Sequence, residues 1–539
     1  MLQDTNILCG PKETYQIHKA SCLGELLLNQ LAIHGKRVAQ VDADSGMEQS
    51  FEQILNASRK LAIYLNNCGL IQGDCITVCG ENSLNFCIPV LTAIYLGVTT
   101  APLNPLYSDR EFLHALNISK PKYIFVSPLV AERMKGVAIN LSWSPKLILL
   151  TDFPDINLPS MSQLISSIPD SNLNRFRVQK VNIETHVVVI LCSSGTTGLP
   201  KGVMLTDKNI ITVINHLSDP SFGSLTKNVI TLGLLPFFHA YSFITMIVKL
   251  AIGVKTIVLS RFEDENFLEA IQKYKIQHLS VVPPLMVFLA KHPLIDRYDL
   301  SSVKHIWCGA APLSKEIQTA VMKRLNVSKI RQGYGLTETT LAVIISPENN
   351  KPGSIGTLAP GVQAKVISIG ENEPVVNLGP NRQGELCFKG DVIMKGYCGD
   401  ISSTDATIDK NGWLHTGDVG YYDNDGYFYI VDRLKELIKY KGFQVPPAEL
   451  EAILLTHPRI KDAAVIGVPN EEAGELPLAF VVKQVGSEVK AEEIIQYVNE
   501  RVSVQKRLRG GVRFLDNIPK TASGKILRRE LRNILKSKL

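Results

Sequence analysis

The ten cysteines form no CxxC pair and no Cys/His spacing of a metal-binding kind, which sets aside zinc fingers, dithiol redox centres and a disulfide framework. Reduced, mostly buried thiols are expected. Low-complexity tracts and repeats are also missing, so neither disorder nor a solenoid is expected. The first residues carry acids and an early proline where a secretory signal would have a basic and then an apolar run. Two stretches, 83–108 and 228–248, lack Asp, Glu, Lys and Arg and are long enough to span a bilayer. Pro89, Gly97, Pro102 and Pro105 interrupt the first, Pro236 and His239 the second. Both therefore read as buried strand, turn and helix inside a large α/β domain.

What is present is ample material for more than one core, since 539 residues exceed what a single compact domain buries. The formal charge of +6 is unevenly placed: residues 433–539 hold 20 basic and 13 acidic side chains. A solvated basic face and a surface that attracts polyphosphates are both open readings. Nucleic acid is disfavoured, because no recognised nucleic-acid module occurs. Short β-branched runs (HVVVILC from His186, KTIVLS from Lys255, HLSVVPP from His278) alternate with amphipathic stretches such as DENFLEAIQKYK from Asp264, a pattern that predicts parallel sheets layered with helices. From Lys365 onward shorter strands with Gly turns predict a small β-subdomain. The fold class expected is α/β: a large N-terminal domain over 1–431, a polar hinge at 432–435, and a small mobile α+β domain over 436–539.

The chemistry is concentrated in four motifs. CSSGTTGLPKG, from Cys192 to Gly202, follows an apolar strand and offers hydroxyls and backbone amides that can cradle phosphate, although such a loop taken alone is more often a plain turn. It is not a Walker A loop, because Lys201 lies between Pro200 and Gly202 where that pattern needs Gly before Lys and Ser or Thr after it. RQGYGLTETT, from Arg331, groups an aromatic ring, hydroxyls and the Glu338 carboxylate between glycines. One such carboxylate suffices for Mg²⁺, which keeps waters and phosphate oxygens as its other ligands. GWLHTGDVG places Asp418 in a Gly-flanked turn, suited either to ribose hydroxyls or to stabilising that turn. PKTASGKILRREL places Lys525 after Gly524 at the start of a helix, where a flexible ammonium can meet developing negative charge.

The order and wording of these motifs resemble the adenylate-forming superfamily, in the branch of beetle luciferases, luciferase-like insect fatty acyl-CoA synthetases and plant 4-coumarate:CoA ligases. The resemblance runs from about residue 40 to the C-terminus. It implies ATP, Mg²⁺ and coenzyme A as cosubstrates and cofactor. Ser193, Ser194, Gly195, Thr196, Thr197, Gly198 and Lys201 would embrace the ATP phosphates, with Thr337 and Glu338 serving phosphate and metal. Tyr334 would lie against adenine, with Gln332, Gly333 and Gly335 of its motif beside it and Gly309, Ala310 and Ala311 as a floor. Asp418 would bind ribose assisted by Arg433, Lys525 would drive adenylation, and His239 would stand by the acyl carboxylate. A rotation of the small domain about 432–435 would then withdraw Lys525 and bring in Lys439, Lys441, Gly442 and Gln444 for the coenzyme A step.

Within the branch the acyl pocket departs from luciferases. PFFHAYS has Phe238, Ala240 and Tyr241 where those enzymes generally read His-His-Gly-Phe, Leu341 stands where firefly enzymes carry Ser, and the helix near Val213 lacks their Arg. These changes read as a more apolar pocket and favour an aliphatic acid. A medium- or long-chain fatty acyl-CoA synthetase is the first expectation. A luciferase, a coumarate-type ligase and a non-catalytic nucleotide binder follow. The terminal Ser537, Lys538 and Leu539 match the address read by the peroxisomal import receptor, so a peroxisomal location is expected.

Overall fold

A computed structural model describes residues 6–16, 20–193, 199–220, 222, 225–347, 350–351, 353–369, 374–441, 443–521 and 524–536. These residues build four sheets. In the first, Val187–Ser193, Thr99–Leu103, Cys75–Cys79, Tyr123–Val126 and Lys146–Leu149 run parallel, and Lys201–Thr206 pairs antiparallel to Val187–Ser193. In the second, Ile330–Tyr334, His305–Cys308, His278–Val281, Ile230–Gly233, Lys255–Val258 and Val38–Asp42 form the parallel centre. A third, antiparallel sheet joins Gln363–Ile367, Gly384–Lys389, Leu414–Tyr422 and Phe428–Arg433. The fourth lies wholly beyond the expected hinge: Phe443–Val445, Ile438–Tyr440, Gly474–Lys483 and Ile460–Asn470, with Gly511–Phe514 alongside.

The helices Leu23–His34, Asp207–Ser218, Ala240–Ile252 and Cys87–Leu96 share one hydrophobic cluster with strand residues of both parallel sheets. That position explains the charge-free stretches. All ten residues of Cys87–Leu96 are buried, so the helix has no face that needs a charge. No helix among the described residues is long and apolar enough to cross a membrane. Segments predicted as strands or helices, among them HLSVVPP (His278–Val281) and DENFLEAIQKYK (Asp264–Tyr274), form those elements.

At the expected hinge, Phe428–Arg433 ends in a turn whose Glu436 N–H donates to Arg433 O at 2.9 Å, while Leu434 N–H reaches back to Gly417 O at 2.8 Å. Asp432 ties the two sides together, its Oδ2 accepting from the Ala448 N–H at the start of Pro447–Thr456 at 2.8 Å. Further along, Lys291 Nζ donates to the carbonyls of Leu455 (2.7 Å) and Ile460 (3.1 Å) in the tail.

Candidate active site

Parallel strands present their carboxyl ends at one rim of a sheet, and ligands of such sheets bind beyond that rim. Here His278–Val281, His305–Cys308 and Ile330–Tyr334 end at Val282–Pro284, Gly309–Ala311 and Gly335–Thr337. A cleft of about 870 Å³, open solvent at its mouth included, lies there. His239, Tyr241 and Thr245 line it from the start of Ala240–Ile252; Gly309, Ala310, Gly333, Gly335 and Thr337 line it from the strand ends. Lys525 reaches it from the tail.

The strand ends are held in unusual conformations. Ala310 has φ of 72° and Thr340 a φ of 64°, left-handed values that a β-branched residue rarely adopts. Thr340 is held there by its buried hydroxyl, which donates to Val392 O at 2.7 Å. Gly335 is obligatory for a different reason: a Cβ on it would stand 1.6 Å from the Leu341 carbonyl oxygen.

Where phosphate binding is expected, Ser193 closes its strand paired to Lys201. The Lys201 ammonium donates to Ser403 Oγ at 2.6 Å and lies 4.8 Å from the centre of the Tyr397 ring. The Tyr397 hydroxyl donates to Glu338 Oε1 at 2.9 Å, which links Lys201 to the carboxylate 137 positions along the chain. Glu338 and Thr337 together supply hard oxygen donors, the set that Mg²⁺ prefers, so the residues present fit that ion. Tyr397 was not anticipated, because a Tyr between two glycine-rich turns carries no periodic or motif signal.

Where ribose binding is expected, Asp418 lies within the strand Leu414–Tyr422 rather than in a turn, and the Tyr334 hydroxyl donates to its Oδ2 at 2.7 Å. Asp418 Oδ1 lies 3.3 Å from Arg433 Nε but outside hydrogen-bonding geometry, and remains a buried acceptor with no hydrogen-bond partner. One carboxylate oxygen is thus taken by Tyr334, and the other is available to a ligand hydroxyl. Burial raises the Asp418 carboxyl, and Arg433, Tyr334 and Lys525 pull against that rise. The Tyr334 phenol is raised well above its usual value by burial and then by Asp418, so it stays a donor.

Lys525 arrives on a tight turn. Thr521 N–H donates to Lys525 O at 2.8 Å, Lys525 N–H donates to Thr521 Oγ1 at 3.1 Å, and Gly524 (φ +82°) sits where a Cβ would be 3.1 Å from Pro284. Burial lowers the ammonium, Arg433 lowers it further, and the carboxylates of Glu338 and Asp418 oppose both. His239 caps Ala240–Ile252, its Nδ1 accepting the Tyr241 N–H at 3.4 Å. Burial, then the charge of Lys525, push its imidazole down to about 4. It is therefore neutral near neutral pH, with the proton on Nε2, a donor for a carboxylate.

Other predicted residues lie elsewhere. Gln332 is buried and its amide bonds Gln318 at 3.3 Å, so it supports the strand from behind. Ala311 adjoins the cavity without lining it. Arg433 does not line the cavity, and neither do Asp418, Tyr334 or Glu338; its Nε lies 3.3 Å from Asp418 Oδ1 and its charge acts on Lys525. Lys439 and Gln444 face one another across the hairpin of Ile438–Tyr440 and Phe443–Val445 with Lys441 at its tip, exposed and away from the cavity. Ser194, Gly195, Thr196, Thr197, Gly198, Gly442, Ser537, Lys538 and Leu539 lie outside the described residues.

Residues 27–398 match the model of the AMP-binding enzyme family, and 449–525 match that of the AMP-binding enzyme C-terminal domain. The chain is 42% identical to a luciferin 4-monooxygenase of Nipponoluciola cruciata, over 99% of this chain and 98% of that one. It is 40% identical to 4-coumarate--CoA ligase 1 of Petroselinum crispum, over 92% and 91%. Among solved structures, an anthranilate CoA ligase in complex with anthranoyl-AMP has the same fold, with a TM-score of 0.88 over 96% of this chain and 98% of that chain at 22% identity.

Proposed function

This chain belongs to the AMP-binding enzyme family, and from that premise we propose that it is an ATP-dependent acid:CoA ligase whose acids are fatty acids. The observation that carries the reading is Lys525: an ammonium delivered by the tail into a cavity lined by His239 and Thr337, with Glu338 and Asp418 close enough to act on its charge. The aliphatic preference is supported by Leu217, Leu341, Ala342 and Trp307 along the cavity wall.

A carboxylate is a poor acyl donor, because displacement would have to expel oxide. In the first step a carboxylate oxygen attacks the α-phosphorus of ATP, and the bond to pyrophosphate breaks. His239 Nε2–H orients the acid, Asp418 Oδ1 accepts from the ribose, and Lys525 stabilises the charge growing on the α-phosphoryl oxygens. Glu338 and Thr337 would hold Mg²⁺, which neutralises phosphate charge. In the second step the thiolate of coenzyme A attacks the acyl carbonyl and AMP leaves. We assign that step to a second arrangement, in which the tail turns about 432–435 and the hairpin with Lys439, Lys441 and Gln444 replaces the Lys525 turn.

ATP–pyrophosphate exchange with medium and long fatty acids, hydroxycinnamates and D-luciferin, the last with light detection, tests the reading. Exchange and acyl-CoA formation fastest with fatty acids is the expected result. Light from D-luciferin at rates above acyl-CoA formation would move the assignment to a luciferase, which the identity to luciferin 4-monooxygenases favours. Exchange with no acid would remove ligase chemistry altogether. We also propose import into peroxisomes through Ser537, Lys538 and Leu539 where Leu539 ends the chain in the cell. A reporter carrying residues 528–539 should become peroxisomal, and a cytosolic reporter overturns this.

A further inference from the structure

The third, antiparallel sheet brings a thiol, an imidazole and a carboxylate together by register. Cys387 and His415 stand directly opposite each other on Gly384–Lys389 and Leu414–Tyr422, so their side chains leave the same face. Glu385, two residues before Cys387, shares that face. None of the three lines the cleft that holds Lys525. Cys387 and His415 are 28 positions apart, so the spacing of cysteines and histidines along the chain gives no sign of the meeting.

Cys387 Sγ lies 3.6 Å from His415 Nδ1, Glu385 Oε2 lies 3.3 Å from the same nitrogen, and all three atoms fall within 4.8 Å of one another. Hydrogen bonding alone serves this arrangement poorly. A single Nδ1–H is shared between two acceptors, and 3.3 Å is long for an imidazole–carboxylate bond, which usually measures about 2.7–2.9 Å when charged. Zinc bonds of about 2.3 Å to sulfur and about 2.0–2.1 Å to nitrogen and oxygen set tetrahedral corners about 3.6 Å apart for S and N and about 3.4 Å for N and O. Both distances at Nδ1 match.

The surroundings hold these ligands in place. Glu385 Oε1 accepts the Gly417 N–H at 2.9 Å, which leaves Oε2 to the cluster. Behind the ring, His415 Nε2 faces Asp409 Oδ2 at 3.7 Å, while Asp409 Oδ1 accepts the N–H groups of Asn411 and Trp413 at 2.8 and 3.0 Å. A carboxylate behind the second nitrogen is the usual support of a metal-bound imidazole. Cys387 is buried among Ile367, Trp413 and Ile7, whereas the side chains of His415 and Glu385 are 30% and 16% exposed. An ion therefore enters past the two polar ligands and keeps a water at its fourth corner. Burial disfavours the Cys387 thiolate and the neighbouring Lys365 favours it. A divalent cation takes the place of the thiol proton, which passes to solvent.

We propose that Glu385, Cys387 and His415 form a binding site for Zn²⁺, separate from the Mg²⁺ expected with ATP. One thiolate, one imidazole and one carboxylate suit zinc, while magnesium prefers oxygen alone. The ion would clasp the two strands where their register slips between Glu385 and Cys387.

The test uses the full chain, stripped with a chelator and kept free of ATP and acid, so that its outcome is independent of the ligase reading. Titration with Co²⁺ should give a thiolate-to-cobalt charge-transfer band that saturates at one equivalent, is displaced by Zn²⁺ and is untouched by Mg²⁺. Zn²⁺ should also raise the melting temperature. Cys387→Ser should abolish the band and the thermal shift. His415→Gln, at a partly exposed position, should abolish the thermal shift and carries the test should the serine variant fail to fold. Asp409→Asn should weaken Zn²⁺ roughly 10- to 100-fold, the effect of losing support behind a ligand. Failure of the parent protein to bind either ion overturns the site. So does binding without a thiolate band, or a band that survives Cys387→Ser or His415→Gln and so belongs to another thiol.

Discussion

Two lysines held away from water, Lys525 and Lys249, differ in what stands opposite them. Lys525 feels the carboxylates of Glu338 and Asp418, and Lys249 has burial alone acting on it, which pushes it down to about 8. The first is placed to meet charge that appears during reaction. Lys525→Ala should slow adenylation roughly 10²- to 10³-fold, the usual effect of deleting one transition-state donor, as read by pyrophosphate exchange. The second should weaken the fold. Between about pH 8 and the ordinary lysine value near 10.4 the unfolded chain binds a proton that the folded chain does not, so this site's contribution to stability rises with pH across that window. Below it the penalty is complete, on the order of 3 kcal/mol. Lys249→Met should therefore unfold at a higher temperature than the parent near neutral pH, with the gap closing as pH approaches about 10. A gap that stays constant over that range would contradict a charged Lys249. At this scale Lys525, Asp418 and Glu338 were legible because each sits in a worded motif. Tyr397, His278 and Lys249 were not: their partners are set by sheet register and by a helix crossing, and His278 lies in a run that reads as core strand. The pocket read as apolar has the buried imidazole of His278 in its wall.

Strands and helices were legible wherever the pattern was local. HVVVILC, KTIVLS and the Asp264 segment each carry a period that survives in the structure as Val187–Ser193, Lys255–Val258 and Asp264–Tyr274. The loops that follow the strands are another matter, since their shape depends on backbone from elsewhere. Gly335 shows this: its motif marks a glycine, but the reason is the Leu341 carbonyl oxygen folded back against it. Gly335→Ala should cost more than about 1 kcal/mol, because no rotamer relieves a backbone clash, and should depress exchange by displacing Thr337 and Glu338. Unaltered melting temperature and exchange in that variant would show that the loop can open. Thr340, strained one turn later, is shaped by the same fold-back and was invisible in the sequence.

For the whole molecule the question is how one tail serves two steps. The turn after Arg433 is where proline suits the second position, occupied by Leu434, although proline there forfeits the N–H donated to Gly417 O. Leu434→Pro should therefore lower adenylation slightly, through the strand that carries Asp418, and thioester formation far more; equal losses in the two assays would count against alternation of the tail. Sequence alone determined the α/β layering, the burial of both charge-free stretches, the family resemblance and the identity of the acid, base and hydroxyl groups. Those follow from periodicity, breakers and fixed local wording, all of which act within a few residues. Only the tertiary structure decided that Lys525 and His239 share a cavity, that Tyr334 occupies one oxygen of Asp418, and that Lys249 is buried with no described carboxylate paired to it. Each of these is a meeting of chain segments dozens to hundreds of residues apart, which packing settles and no local pattern encodes.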